Sequence, residues 1–200
     1  MSRVARLGEW LFRRRTALPI PLILALLLIP PPAWSARAVL GLVAAGAALI
    51  TMAEALRLWA VHHIGVISRT RSDRLGPLIS SGPFALVRNP LYLGNIALWT
   101  GFALAAQLPW LVPMFLLVLA AEYHAIVRWE EELLSARRGD EYRAYAARVP
   151  RWIPRLAGPR PAAGAPPAFS WRETLFSERG TLMAIGAGAL LLWLKGRALG

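Results

Sequence analysis

Two polar segments of the sequence hold the residue types and spacings that could do chemistry. In the first, residues 62–90, Arg88 and Asn89 precede Pro90 at the predicted start of a helix. A helix amino terminus capped by Asn, with an arginine beside it, can receive a carboxylate or a phosphate. An equally weighted interpretation is that Asn89 only caps the helix and that Arg88 only extends to lipid headgroups.

The second segment contains three consecutive carboxylates, Glu130, Glu131 and Glu132. Successive residues of an α-helix lie about 100° apart, so we expect at least one of these side chains to point into the protein. Taken alone, the residues favour an ordinary interpretation, in which they pair along the helix for a few tenths of a kcal/mol each. Those pairs are Glu132 with Arg128, and Glu131 with Ser135 or Arg138.

After Gly139, which predicts a helix end, a further short helix is expected. Its residues Tyr142, Tyr145 and Val149 recur at three- and four-residue spacing and therefore share one face. Such an aromatic stripe is more often packing than cofactor contact, so we expect it to lie against the preceding helix or the membrane.

Other chemistries find little support in the sequence. The three histidines, His62, His63 and His124, have no carboxylate or cysteine at metal-ligand spacing, and the lack of cysteine excludes disulfides and thiolate sites. There is no nucleophile elbow, phosphate-binding loop or dinucleotide fingerprint. The sequence therefore predicts neither a metal site nor a soluble nucleotide-binding fold.

The elements that must position these residues are membrane helices. Of the 200 residues 56% are hydrophobic and the mean hydropathy is +0.46, although the formal net charge is +12. A basic nucleic-acid binder would not gather its apolar residues into long blocks, so nucleic acid is an unexpected partner. We expect an all-α polytopic membrane protein with four to five transmembrane helices.

Four apolar blocks are long enough to span a bilayer, at residues 18–34, 38–61, 91–107 and 108–127. The third and fourth should form a tight hairpin. A fifth block, residues 181–194, is short and is expected either to span a locally thinned bilayer or to lie in its interface. The first block also loosely resembles a signal peptide, but its prolines and preceding arginines fit an uncleaved span.

Arginines lie mostly on one predicted side of the membrane. They precede the first span, follow the second and follow the fourth, which predicts a cytoplasmic location for the amino terminus and for residues 61–90 and 128–179. We divide the chain into amino-terminal spans (1–61), a region with the polar segments and the hairpin (62–160), and a Pro-rich linker with a last apolar helix (161–200). Oligomeric state is left open.

Two quoted segments, "GPLISSGPFALVRNPLYLGN" and "EEELLSARRGDEYRAYAARVPRWIP", stand before and after the predicted hairpin. Together they resemble the isoprenylcysteine carboxyl methyltransferase and phospholipid methyltransferase families, over about residues 57–154. The resemblance implies S-adenosylmethionine as the methyl donor. The positions carried over as cofactor-binding are Gly76, Pro77, Leu78, Ile79, Gly82, Phe84, Arg88, Asn89, Pro90, Leu91, Tyr92, Glu130 and Glu131.

Two positions depart from the family pattern. Asn89 stands where the family has histidine, and Ile126 stands where it has a substrate-facing arginine. The nearest arginine is Arg128, which we take with Tyr92 as the candidate catalytic residues. The Tyr92 ring could stabilise a sulfonium by about 0.5–2 kcal/mol.

The resemblance thus implies a membrane enzyme that methylates a lipophilic acceptor, either a prenylcysteine-like carboxyl, a lipid amine or a small thiol. The alternative is a non-catalytic or reductase-like membrane protein that shares the fold. The two differ in one structural expectation: in the enzyme, Glu130, Asn89 and Tyr92 converge on one pocket.

Overall fold

A computed structural model describes residues 1–65, 78–155 and 167–199 of the chain, so the predicted site residues Gly76 and Pro77 lie outside it. The described residues form α-helices and no strand, which confirms the all-α fold class. The helices are α1 (Arg3–Arg14), α2 (Ile20–Leu28), α3 (Ala36–Ile64), α4 (Pro90–Ala105), α5 (Leu111–Arg138), α6 (Asp140–Arg148) and α7 (Trp171–Leu199). A 3-10 turn, Gly82–Ala85, precedes α4.

In the described part of the chain, three helices are long and apolar enough to cross a membrane: α3, α5 and α7. The predicted first span is shorter than expected, because three prolines at 30–32 follow the nine-residue α2. With a rise of about 1.5 Å per residue, α2 and the 16-residue α4 are each shorter than a typical span. The arrangement is compatible with four to five crossings.

The last apolar block is longer than the sequence suggested. Residues 181–194 belong to α7, whose 29 residues include the preceding amphipathic segment. Near its start the Trp171 ring stacks on His62 at the end of α3, at 4.2 Å between centroids. Near its other end, Lys195 Nζ donates to the Leu26 carbonyl at 2.6 Å and the Ile29 carbonyl at 2.5 Å. The helix α7 therefore extends from the carboxyl end of α3 to the carboxyl end of α2.

Small residues let the central helices approach closely, as expected in lipid. A Cβ on Gly46 of α3 would lie 2.6 Å from the backbone nitrogen of Ala105 and from the carbonyl oxygen of Gly101, both on α4. Gly41, one turn earlier on α3, has open space around it instead. The predicted hairpin of α4 and α5 forms, joined by residues 106–110, and buried side chains of both helices share one apolar core with α2.

A buried polar junction ties α7 to this bundle. Arg57 of α3 donates to Asn95 of α4, to Glu178 Oε2 of α7 at 2.6 Å and to Thr181 Oγ1 at 3.1 Å. Its Nε lies 3.3 Å from Oε2 of Glu54, which is itself 6% exposed. A guanidinium offers five donors in a fixed fork, which suits one residue to contact three helices at once.

The histidines at the end of α3 also bind protein groups rather than headgroups. His62 Nδ1 is 3.2 Å from Thr174 Oγ1, and His63 Nδ1 is 2.9 Å from Ser81 Oγ. His124 is exposed and its ring centroid lies 6.5 Å from that of Trp152. These contacts fix the start of α7 and the turn before α4 against α3.

Candidate active site

The three consecutive glutamates of α5 each bind a different segment of the chain. Glu130 Oε1 accepts a hydrogen bond from the Tyr92 hydroxyl of α4 at 2.9 Å. The Tyr92 ring in turn contacts Tyr123, with 4.8 Å between ring centroids. The expectation that at least one carboxylate points inward is therefore correct, and Tyr92 and Glu130 are in direct contact.

Glu131 binds two arginines, one from the loop before α4 and one from the segment after α6. Arg88 Nη1 donates to Oε1 at 2.6 Å, while Arg151 donates from Nε to Oε1 at 3.0 Å and from Nη2 to Oε2 at 2.6 Å. The hydrogen bonds that Arg151 donates to Glu131 raise the pKa of Arg151 above its usual value. One carboxylate therefore joins the loop before α4 to the segment after α6.

Glu132 binds the amino-terminal segment. Its Oε1 accepts from Ser2 Oγ at 2.7 Å, and its two oxygens accept from the Ser2 backbone nitrogen at 3.3 and 3.2 Å. The ordinary interpretation of this motif is therefore only partly correct: Glu132 hydrogen-bonds Ser2 although the Arg128 charge also acts on it, and Glu131 binds Arg88 and Arg151 rather than Ser135 or Arg138. Tertiary packing therefore gives these carboxylates hydrogen-bond partners from other segments instead of neighbours on the same helix.

Asn89 stands at the position preceding α4, but its side chain does not cap the helix. Its Nδ2 donates instead to the Arg151 carbonyl at 3.0 Å. Two backbone bonds lie beside it, from Arg88 N to the Pro150 carbonyl and from Arg155 N to the Leu86 carbonyl, both at 2.9 Å. Asn89 therefore helps to pair residues 86–89 with residues 150–155, and its Nδ2 hydrogen-bonds that segment rather than Tyr92 or Glu130.

The tyrosine stripe of α6 packs against the loop before α4. The Tyr145 hydroxyl donates to the Phe84 carbonyl at 2.8 Å, and Leu78 packs against the cluster of Tyr142, Tyr145 and Val149. Burial raises the pKa of Tyr142 to about 12 and that of Tyr145 further still, so both hydroxyls stay protonated near neutral pH. The packing role expected of the stripe is confirmed.

An open cavity of about 530 Å³ adjoins the glutamates, between α5, α6 and the start of α1. This volume is typical of small-molecule sites. The wall carries both signs of charge and two aromatic rings. Its charged and aromatic members are Arg88, Arg128, Arg143, Glu131, Glu132, Trp129 and Tyr142.

The predicted site residues divide between this cavity and its support. Arg88, Arg128 and Glu131 line the cavity, whereas Tyr92 and Glu130 are not among its lining residues. The remaining predicted positions within the described chain belong to the turn and the helix start beneath it, with Phe84 and Pro90 buried. They are Leu78, Ile79, Gly82, Phe84, Asn89, Pro90 and Leu91.

Gly82 has a structural requirement of its own. Its φ is +57°, which favours glycine, and a Cβ there would lie 2.3 Å from the His63 ring. At Ile126, where the family has a substrate-facing arginine, the side chain is 1% exposed within the apolar core. No charge can therefore be supplied to a ligand from that position.

Three residues around the cavity were missed from the sequence. Arg151 lies inside the second quoted segment, and its position between Pro150 and Trp152 could have marked it as a candidate. Trp129 could have been noticed as an aromatic residue beside Glu130. Ser2 carries no signal, because 130 residues separate it from Glu132.

Comparison with known proteins relates part of the chain to a known family. A model of the family "Phospholipid methyltransferase" matches residues 42–140, which include α4, α5 and the three glutamates. This part of the chain belongs to the phospholipid methyltransferase family. The resemblance drawn from the two quoted segments is thereby confirmed, and α1, α2, α6 after its first residue, and α7 lie outside the matched range.

Two curated proteins are similar to the chain. The nickel-cobalt-cadmium resistance protein NccN of Alcaligenes xylosoxydans xylosoxydans is 33% identical over 108 residues, which are 54% of this chain and 47% of that protein. The cobalt-zinc-cadmium resistance protein CzcN of Cupriavidus metallidurans is 28% identical over 153 residues, 76% of this chain and 65% of that protein. The chain thus spans about half to two thirds of these relatives. No solved structure matches it significantly.

Proposed function

We propose that this protein transfers a methyl group from S-adenosylmethionine to a lipophilic acceptor at a membrane surface. The observation that carries the proposal is the cavity of about 530 Å³ whose charged wall is built largely from the family-matched part of α5. The wall offers carboxylates, guanidinium groups and aromatic rings within one small-molecule-sized space. A site of this composition suits a ligand that is both zwitterionic and aromatic.

S-adenosylmethionine is such a ligand, and the residues present fit it. Glu132 and Glu131 can face its ammonium group, Arg128 can face its carboxylate, and Trp129 and Tyr142 can pack on its adenine. When bound, the cofactor supplies an electrophilic methyl group on a sulfonium. The Tyr92 and Glu130 pair lies on the neighbouring face of α5, where the family pattern also predicts cofactor contact.

The chain's own residues have mainly to orient the methyl donor and the acceptor and to enclose them. Methyl transfer is a displacement that needs donor and acceptor aligned at about 3 Å with water excluded. Glu131 fixes the loop before α4 and the segment after α6, and Glu132 fixes the start of α1 at the edge of the cavity. These two carboxylates therefore hold the surrounding segments in place around the proposed reaction site.

The positive charge in the cavity wall indicates which group of the acceptor the site can bind. Ile126 supplies none and Arg128 faces the cofactor carboxylate, but Arg143 also lies in the cavity wall and can face an acidic group of the acceptor. We propose that the acceptor enters from the bilayer and that the site faces the cytoplasm, the side on which the arginines collect. Its reacting atom remains one of three: a carboxyl oxygen, an amine nitrogen or a thiol sulfur.

The relatives are named for resistance to nickel, cobalt, zinc and cadmium. The described residues contain no group of three His, Cys, Asp or Glu side chains placed to hold a metal ion. Our proposal concerns methyl transfer and assigns no metal ligand to this chain.

Calorimetric titration of the purified protein with S-adenosylmethionine tests the proposal. We expect saturable binding, weakened about tenfold or more, equivalent to about 1.4 kcal/mol, by Arg128→Gln in the cavity wall and by Glu130→Gln behind it. Glu141→Gln is the matched control, because this carboxylate lies on α6 with its side chain 54% exposed. Absence of binding by the wild type would instead favour a non-catalytic protein that shares the fold.

A further inference from the structure

The helix α1 has two apolar sides, and only one of them packs on protein. On the packed side Ala5 is fully buried, and a Cβ added to Gly8 would lie 1.9 Å from the Ala125 carbonyl oxygen of α5. The Phe12 ring lies 4.9 Å from the Trp129 ring, centroid to centroid. Because Ser2 contacts Glu132 whereas Gly8 contacts Ala125, α1 runs antiparallel along this part of α5.

The other apolar side of α1 is left open. Val4, Leu7 and Trp10 recur every three residues and are 44%, 52% and 48% exposed. Large apolar side chains that share one face of a helix and stay half exposed indicate a contact with a further apolar surface.

The exposed part of α1 is also strongly basic. Residues 3–15 contain five arginines and one carboxylate, Glu9, which gives this stretch a net charge of +4. Glu9 accepts from Arg13 at 2.7 Å. The Arg14 guanidinium lies 4.3 Å from the centre of the exposed Trp10 ring, so cation and aromatic ring form one continuous surface.

The position of α1 determines which partner suits this surface. Residues 15–19 join it to α2, whose nine residues are all apolar and whose Leu24 and Leu28 are 48% and 73% exposed. Arginines beside Trp and Leu, next to a helix of membrane composition, are the pattern of a helix at an anionic bilayer surface. A second copy of the chain would bring like charge to the same place, which disfavours it.

We propose that α1 binds anionic phospholipid headgroups through its arginines, with Val4, Leu7 and Trp10 inserted among the lipid chains at the bilayer surface. The helix is then held between the bilayer on one side and α5 on the other. This inference concerns a surface outside the family-matched residues 42–140, and it does not depend on methyl transfer.

The chain has no cysteine, so a single one can report on this surface. We would introduce Leu7→Cys, reconstitute the full chain in nanodiscs of phosphatidylcholine with or without phosphatidylglycerol, and measure labelling by an uncharged water-soluble maleimide. We expect labelling about tenfold slower in the anionic discs, a factor equivalent to about 1.4 kcal/mol. The difference should shrink as salt rises, because headgroup attraction is screened.

Two controls make the result decisive. Ala147→Cys, an exposed site on α6, should label equally in both lipids. Replacing Arg3, Arg6, Arg13 and Arg14 with Gln should abolish the lipid dependence at position 7, whereas Arg148→Gln should preserve it. Equal labelling of Leu7→Cys in both lipids would overturn the proposal. So would protection that follows the number of protein copies per disc, since a second chain would then cover α1.

Discussion

Replacing Glu131 with Gln is predicted to weaken the attachment of two segments to α5 at once. The carboxylate accepts three hydrogen bonds from two guanidinium groups, and the side chains of Glu131, Arg88 and Arg151 are 13%, 14% and 26% exposed. Breaking a fully buried ion pair costs about 3–5 kcal/mol, and hydrogen bonds to charged groups about 1.5–3 each. Partial exposure and the remaining amide oxygen reduce the loss, so we expect Glu131→Gln to lower the free energy of unfolding by about 2–3 kcal/mol.

The assay is denaturant unfolding of the purified protein in detergent, with Glu141→Gln as the matched control. Glu141 forms an exposed pair with Arg138 at 3.4 Å, so its replacement should cost no more than about 0.5 kcal/mol. A double-mutant cycle of Glu131→Gln with Arg151→Gln should be strongly non-additive. If Glu131→Gln were as mild as the control, or if the cycle were additive, the carboxylate would not hold these segments together.

Three further outcomes follow from named contacts. Gly8→Val should lower the thermal midpoint well below that of Gly180→Val, because Gly8 lies against a backbone atom of α5 whereas Gly180 has open space around it. Equal midpoints would contradict the packing of α1. Tyr145→Phe leaves the buried Phe84 carbonyl without its donor and should cost about 1–2 kcal/mol in the same unfolding assay; no loss would exclude the bond. Burial raises the folded-state pKa of Tyr142 to about 12, whereas the unfolded value is about 10. The resulting contribution to stability is complete below about pH 10 and is lost as the pH rises from about 10 to about 12. Tyr142→Phe should flatten this loss of stability.

Local patterns in the sequence were sufficient for α6 and for the end of α5. The 3.6-residue period of Tyr142, Tyr145 and Val149 predicts α6 and its packed face, and Gly139, at φ +51°, ends α5 as expected. The block at 181–194 was underestimated because hydropathy alone ignores the amphipathic turns that precede it in α7. Helix length depends on hydrogen bonding along the whole segment, whereas an apolar window detects only its lipid-facing part.

Partners distant in sequence were not predictable. Nothing near Glu132 indicates Ser2, and nothing near Arg57 indicates Glu178, which lies 121 residues away. The sequence showed that Glu130 to Glu132 point in three directions, but which partner each finds depends on how α1, α4 and α6 pack on α5. The same limit applies to Asn89, whose preference for a cap position was correct while its side chain bonded elsewhere.

The acidic residues explain the arrangement better than the large basic excess does. Three carboxylates of the described chain join separate segments: Glu131 joins the loop before α4 to the segment after α6, Glu132 holds α1, and Glu178 holds α7 to Arg57. With 11 acidic residues against 23 basic ones, arginines outnumber the carboxylates, and Glu131 and Glu178 pair with arginines, whereas Glu130 accepts from Tyr92. The arginines left over collect on α1 and around the cavity, where headgroups and an acidic acceptor would meet them. The net charge of +12 therefore reflects arginines that have no carboxylate to balance their charge, because carboxylates are few.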